Sequence, residues 1–344
     1  MHFRRILFLV LVIASFGCNR VEHQPAAATD AATNSELLSE ADSALLIQQA
    51  AEQDDPAAWF RVAELYRQGH GVDPDPVEAV IWWRKAADVG YADAEYALAV
   101  AHEQGLGVEQ DDNAALRLYR RAAARGHVQS QHQLAGLYRE GRGVRQSSSK
   151  AVSWYRQAAE SGYAPSQAQL GYMYATGDGV SAKYQEAAKW SQRAADQGDP
   201  DGCNNLAVLY LKGFVVAQDF QQALAWYQRA ADAGHASAQN MLGNLFYAGQ
   251  GVSKDLVLAE AWWRKAAEQE YAAAQYNLGG MYSRDLSATL KRDEALDWLA
   301  RAAAQGHESA GKEHGELESA PDGVVANPAV APADAEAGEA DRPV

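Results

Sequence analysis

Nine histidines and two cysteines are the residues of this chain best suited to metal binding, proton transfer or nucleophilic chemistry. Three of the histidines, His127, His235 and His307, fall at one position of a recurring pattern that elsewhere carries Tyr91, Tyr163, Asp199 and Tyr271. Equivalent positions in stacked helical units lie about 10 Å apart, whereas zinc binds imidazole nitrogen at about 2.0–2.1 Å. These histidines are therefore not expected to share a metal. The sequence offers no HExxH, no phosphate-binding glycine loop and no Ser-His-Asp spacing. Neither a cofactor nor catalysis is expected. Cys203 shares a slot with Glu95, Gln131, Gln167, Gln239 and Gln275, and reads as a small, partly exposed residue rather than a working thiol. The basic pairs Arg84-Lys85, Arg120-Arg121 and Arg264-Lys265 sit where positive charge complements a helix C-terminus.

What positions these residues is an internal period of 36, unbroken from Ala58 to Ala310 and giving seven copies over residues 58–309. Ala79, Ala115, Ala151, Ala187, Ala223, Ala259 and Ala295 share one slot. Three residues later stand Trp82, Trp154, Trp190, Trp226, Trp262 and Trp298, with Leu118 as the exception. The spacing 79, 82, 83, 86, 87 marks one face of a helix, here helix B. The Trp row is expected to form the spine of the core. A second helix, A, carries Val62, Leu98, Leu134, Leu170, Leu206, Leu242 and Leu278, followed by a small slot that includes Gly171, Gly243 and Gly279. Those glycines point to close helix packing, because each costs a helix about 1 kcal/mol relative to Ala. Turns such as Gly105-Leu106-Gly107-Val108 end helix A. Asp75, Asp111, Ser147, Asp219 and Asp255 stand at the N-cap of helix B. Such units bury their faces only by stacking.

The run Leu134-Ala135-Gly136-Leu137-Tyr138-Arg139-Glu140-Gly141-Arg142-Gly143-Val144, followed by Ala151-Val152-Ser153-Trp154-Tyr155-Arg156-Gln157-Ala158-Ala159, resembles the Sel-one-like repeat (SLR), a relative of the tetratricopeptide repeats. The resemblance implies an all-α, right-handed α/α superhelical solenoid. A lone helix B at 39–53 and a partial helix A at 310–318 are expected to cap it, closing a solenoid that spans 39–318. The seventh turn, Asp285-Leu286-Ser287-Ala288, lacks Gly-x-Gly-Val and is expected to be irregular.

Outside the repeats the composition changes. Residues 1–19 carry a charge of +2, 20–57 carry −7 and 315–344 carry −6, which leaves the repeat region at −4. No basic field exists there to attract nucleic acid. Arg4 and Arg5 followed by the apolar Ile6 to Phe16 read as an export signal over residues 1–17, too short to span a bilayer. Its end, Ser15-Phe16-Gly17-Cys18, resembles a bacterial lipobox, though Ser15 and Phe16 depart from the usual pattern. The resemblance implies lipid on Cys18, a flexible tether over 18–38 and, with Asn19 next, an outer-membrane lipoprotein facing the periplasm. The Ala-, Pro- and acid-rich residues 319–344 are expected to be disordered.

Function should lie in the slots that vary while the scaffold stays fixed. On helix A these hold Phe60, Tyr96, His132 and Tyr276 in one row and Val100, Tyr172, Val208 and Asn244 in another, both expected on the concave face. They suit an extended peptide or a partner helix, and so a non-enzymatic adaptor of the cell envelope with a protein partner. The alternative is an envelope polysaccharide or peptidoglycan binder with Tyr96, Tyr172 and Tyr276 as stacking platforms.

Overall fold

The structure, a computed structural model, describes residues 40–215, 217–284 and 289–320. The export signal, Cys18, the tether, the Asp285–Ala288 turn and most of the C-terminal tail lie outside them. The described residues form sixteen helices and no strand. Helix α1 (Glu40–Glu52) precedes seven A/B pairs, which run from α2 (Pro56–Gln68) and α3 (Pro76–Asp88) to α14 (Ala272–Ser283) and α15 (Thr289–Ala304). Helix α16 (Glu308–Ser319) follows as an eighth A helix.

Each boundary has a local cause. Asp75, Asp111, Asp219 and Asp255 each accept two backbone N–H bonds from the first turn of a B helix, and Ser147 accepts one. Lys183, in the same slot, caps nothing with its side chain. Gly69, Gly105, Gly141, Gly177, Gly213 and Gly249 end the A helices in the left-handed region. Helix α14 breaks this rule and ends at Arg284 with φ −88°. Helix B ends at a positive-φ glycine in all copies but one, where Glu270 adopts φ 61°. Its carboxylate accepts from Gln275 Nε2 at 2.9 Å and Arg301 at 2.6 Å.

Pairs stack through alternating A–B contacts. The A helix α8 (Ala164–Thr176) also touches the A helix α10 (Pro200–Lys212), and α14 touches α16, while no two B helices meet to that degree. The A helices accordingly line the inner curve of an all-α solenoid. Ala79, Ala86 and Ala87 and their counterparts are buried, as the pattern requires, with Ala303 alone half-buried.

The Trp row forms only part of the spine. Trp190 and Trp298 are buried, as is Leu118 in the same slot, but Trp82, Trp154, Trp226 and Trp262 are only half-buried. The next slot, one residue on, forms the sealed seam: Trp83, Tyr119, Tyr155, Ser191, Tyr227, Trp263 and Leu299 are all buried. A step of one residue turns a helix by about 100°, so only one of two adjacent slots can face the seam centre. A cation one turn later covers five of the six tryptophan rings, whether half-buried or buried: Lys85 over Trp82, Arg193 over Trp190, Arg229 over Trp226, Lys265 over Trp262 and Arg301 over Trp298. Against the sealed seam lie the small A-helix residues. A Cβ at Gly243 would overlap the Trp263 indole, and one at Gly279 would lie 2.8 Å from Leu299 Cγ.

Candidate functional site

The inner surface is built from the two variable A-helix rows. In the first row each aromatic is engaged by the ring that starts the next A helix, 31 residues on. Phe60 meets Tyr91 at 5.6 Å, Tyr96 meets His127 at 4.9 Å, His132 meets Tyr163 at 5.3 Å and Tyr276 meets His307 at 4.4 Å between ring centroids. Such contacts mortar one repeat to the next. Tyr276, expected to face outward, is 3% exposed. Phe60, Tyr96 and His132 are half-buried. His132 also packs edge-on to Tyr155 and bonds Ser166 Oγ at 2.8 Å. Burial pushes its pKa down to about 4.

The second row is more open. Val100, Tyr172 and Val208 are half-buried and packed against the cores beneath them. Asn244 is tied down, since its Oδ1 accepts from Trp263 Nε1 at 2.9 Å and Asn277 Nδ2 at 3.0 Å. For a sugar-stacking surface this leaves Tyr172 as the one platform of the expected three that is clear of a neighbouring ring.

The histidines have a structural role that spacing alone had not shown. His127, His235 and His307 are N-caps of A helices, and the Nδ1 of each accepts the backbone N–H three residues on, at 3.2, 3.1 and 3.2 Å. Asp55 and Asp199 cap from the same slot. An accepting Nδ1 places the proton on Nε2, which in His127 and His235 faces Asp93 and Asp201 at 3.4 and 3.0 Å. Those hydrogen bonds hold both carboxyls below the usual range. The available signal was that Asp alternates with His in this slot, as at an N-cap.

Cys203 differs from expectation: it is 2% exposed, and burial raises its thiol pKa. Its slot is a clamp. Gln131, Gln167, Gln239 and Gln275 each donate Nε2 to a carbonyl near the end of the preceding B helix, at 3.0–3.3 Å. Trp59 performs the same task on α1, donating to the Ala50 carbonyl at 2.7 Å. A second glutamine, 30 residues on, completes the clamp in three repeats: Gln197 to Gln167, Gln269 to Gln239 and Gln305 to Gln275, each at 2.8 Å. The third repeat has Ser161 there, and the buried Gln131 Oε1 has no partner. Ser161→Gln should supply the missing donor and stabilise the protein by about 1 kcal/mol. A rise in the urea midpoint, absent when Gln131→Ala is combined with it, checks this.

Both members of the Arg120-Arg121 pair and Arg264 of the third pair have partners. Arg120 donates to Tyr138 Oη at 3.0 Å, Arg264 donates to Tyr282 Oη, and Arg121 reaches the Ala87 carbonyl and the buried Glu95 carboxylate. No three His, Cys, Asp or Glu side chains among the described residues are grouped to hold a metal ion. No helix among them is long and apolar enough to cross a membrane.

Fold and inner surface together define an α-solenoid of stacked helix-turn-helix repeats with a variable groove. Seven consecutive matches to the Sel1 repeat cover residues 56–91, 92–127, 128–163, 164–199, 200–235, 236–271 and 272–307, and the chain belongs to the Sel1 repeat family. These matches open at the first turn of helix A, two residues before Ala58. Among solved structures, the chain is similar to c5321, a protective antigen present in uropathogenic Escherichia coli strains displaying an SLR fold. Identity is 33% and the TM-score 0.67, with 80% of this chain covering 59% of that one, so this chain spans little more than half of that relative. A Sel1 repeat protein from Oxalobacter formigenes is 31% identical with a TM-score of 0.62, over 66% of this chain and 90% of its own. Among curated proteins none matched the sequence.

Proposed function

We propose that this chain is a non-enzymatic scaffold of a bacterial cell envelope, tethered by lipid at Cys18, that holds a protein partner along its inner groove. Solenoids of this family generally serve as protein-interaction scaffolds. The observation that carries the reading is the second A-helix row. Val100, Tyr172 and Val208 differ from repeat to repeat and stay partly open on the inner curve, while the alanine and seam slots beneath them are sealed. Rigid, mixed apolar positions spaced along a groove suit a peptide or helix laid across several repeats.

A photo-crosslinking residue placed at Tyr172 or Val208 in the native cell should give a discrete protein adduct. The same residue at Arg117, exposed on a B helix, should not. Adducts from Arg117 alone, or retention on peptidoglycan without any protein adduct, would reject the groove reading. The tether rests on Gly17-Cys18 at the end of the apolar leader. Metabolic labelling with a palmitate analogue should mark the native chain and fail for Cys18→Ala; equal labelling of both would remove the anchor from the proposal.

A further inference from the structure

Exposed apolar residues gather on one edge of the solenoid. Of the ten large hydrophobic side chains exposed among the described residues, all but Leu45, Ile81 and Val89 lie where a helix A turns into its helix B. Most of these fall on the fourth to sixth repeats. Tyr184, the first residue of α9 (Tyr184–Asp196), stacks on Phe214 of the next turn at 4.4 Å between ring centroids, and both rings are more than a third exposed. Leu256, Val257 and Leu258 open α13 (Leu256–Glu268), and Val257 is 77% exposed. The corresponding residues are Asp112-Asn113-Ala114 in the second repeat and Ser148-Ser149-Lys150 in the third, so the repeat itself does not require apolar groups there. A run of exposed apolar residues beside a stacked aromatic pair marks a contact surface.

Charge divides the two edges. Over these repeats the apolar edge holds Lys183 and Lys254 with Asp178 and Glu186, while its Asp219 and Asp255 are turned onto helix N–H groups as caps. The opposite edge, where helix B turns into the next helix A, carries Asp196, Asp199, Asp232, Glu268 and Glu270 and none of the exposed large hydrophobics.

The backbone also enters the solenoid at the apolar edge. Helix α1 is a lone B helix, and Ser43 near its start donates to the carbonyl of His70, in the first A–B turn, at 3.0 Å. Cys18 stands 22 residues before Glu40, a reach of about 80 Å at full stretch. The fourth to sixth repeats lie about 40–60 Å along the stack, at about 10 Å for each repeat.

Resting on the lipid anchor proposed above, we infer that this edge is a second contact with the same lipid surface. The A–B turns of the fourth to sixth repeats dip Tyr184, Phe214, Leu256, Val257 and Leu258 into it. Apolar patches of this kind enter the boundary between headgroups and acyl chains by about 5–10 Å. Helices of 13 residues are about 20 Å long, so the acidic edge stays in water. The helices stand upright on the bilayer, and a partner in the groove runs parallel to it.

The test maps lipid contact along the chain. The full chain, as the cell processes it, is reconstituted in neutral phosphatidylcholine vesicles containing a lipid with a diazirine on its acyl chain, irradiated, and its adducts located by mass spectrometry. Adducts should fall on the peptides that hold Phe214 and Leu256 to Leu258. Phe214→Glu combined with Val257→Glu, both at exposed positions, should keep the circular dichroism of the native chain and lower those adducts at least about tenfold. Absence of adducts at this edge, or equal adducts on the Asp196–Asp199 and Glu268–Glu270 peptides, would overturn the inference. A photo-crosslinking residue at Val257 that captures only protein in the cell would do the same and make the edge a protein contact. The mass of the Cys18 peptide judges the anchor separately. If that cysteine carries no lipid, the anchor reading falls; a C-terminal histidine tag on nickel-chelating lipid then holds the chain to the same vesicles, and the adduct map still decides the edge.

Discussion

Replacing Trp263 by alanine is expected to destabilise the sixth and seventh repeats by about 3–5 kcal/mol, and replacing the adjacent Trp262 by no more than about 2 kcal/mol. The two residues have the same side chain on the same helix, α13 (Leu256–Glu268), so the contrast isolates their environments. Trp263 is 1% exposed, lies over the backbone of Gly243, packs on Tyr247 at 5.2 Å and donates to Asn244. Its removal opens a cavity against a glycine that has no side chain to collapse into it. Trp262 is half-buried beneath Lys265, whose Nζ lies 4.0 Å from its ring centroid, and its loss exposes a margin that water can fill. In a solenoid each repeat contacts only its neighbours. Hydrogen exchange should therefore show the loss in α12 (Ala236–Ala248), α13 and α14, with the second and third repeats protected as before. Equal effects of the two substitutions would mean that the seam is not where burial places it.

The same pair shows how far the sequence could be read. Seven copies in one chain act as seven samples of each position, which is why the period, the alanine slots, the N-cap aspartates and the glycine turns were legible residue by residue. Uniformity misled in one respect, because the recurrent tryptophan was taken for the spine of the core, whereas four of its six copies are only half-buried. The sealed slot tolerates Trp, Tyr, Ser and Leu, since each repeat closes the seam against its own small A-helix residue. The neighbouring slot keeps Trp in six of the seven repeats, and in five of them a basic residue three positions on covers the ring. The inner surface was less legible still. Tyr96 and Tyr276 look available in a list of outward positions, and only the fold brings His127 and His307 onto their faces. Comparing positions 31 apart would have given a hint, because every aromatic of that row has a ring at that offset. Nothing local announces the clamp formed by Gln167 and Gln197, or that Cys203 lies buried where a clamp residue stands in the neighbouring repeats. Both depend on how one helix pair seats on the next.

His132 should make the third repeat sensitive to acid. In the unfolded chain its imidazole titrates near 6.5. In the fold, burial among Tyr155, Tyr163 and Ser166 pushes the pKa down to about 4, Arg139 pushes it the same way, and Asp201 opposes them. The folded state therefore favours the neutral ring. Above pH 6.5 both states are neutral and the full stability is present. As pH falls from 6.5 towards 4 the unfolded chain gains a proton that the native ring refuses, and stability is lost at up to 1.36 kcal/mol for each pH unit, or about 3 kcal/mol in all. His307, whose pKa burial also lowers, adds a loss of the same sign in the C-terminal cap. The carboxyls of Asp93 and Asp201, held low by His127 and His235, contribute only further down the scale. Comparison with His132→Gln removes these shared terms. Urea unfolding from pH 7.5 to pH 4 should show the native protein losing about 3 kcal/mol more than the variant, with the gap opening below pH 6.5. Parallel profiles would mean that the His132 ring reaches water in the native state, and with it the inner surface between the third and fourth repeats.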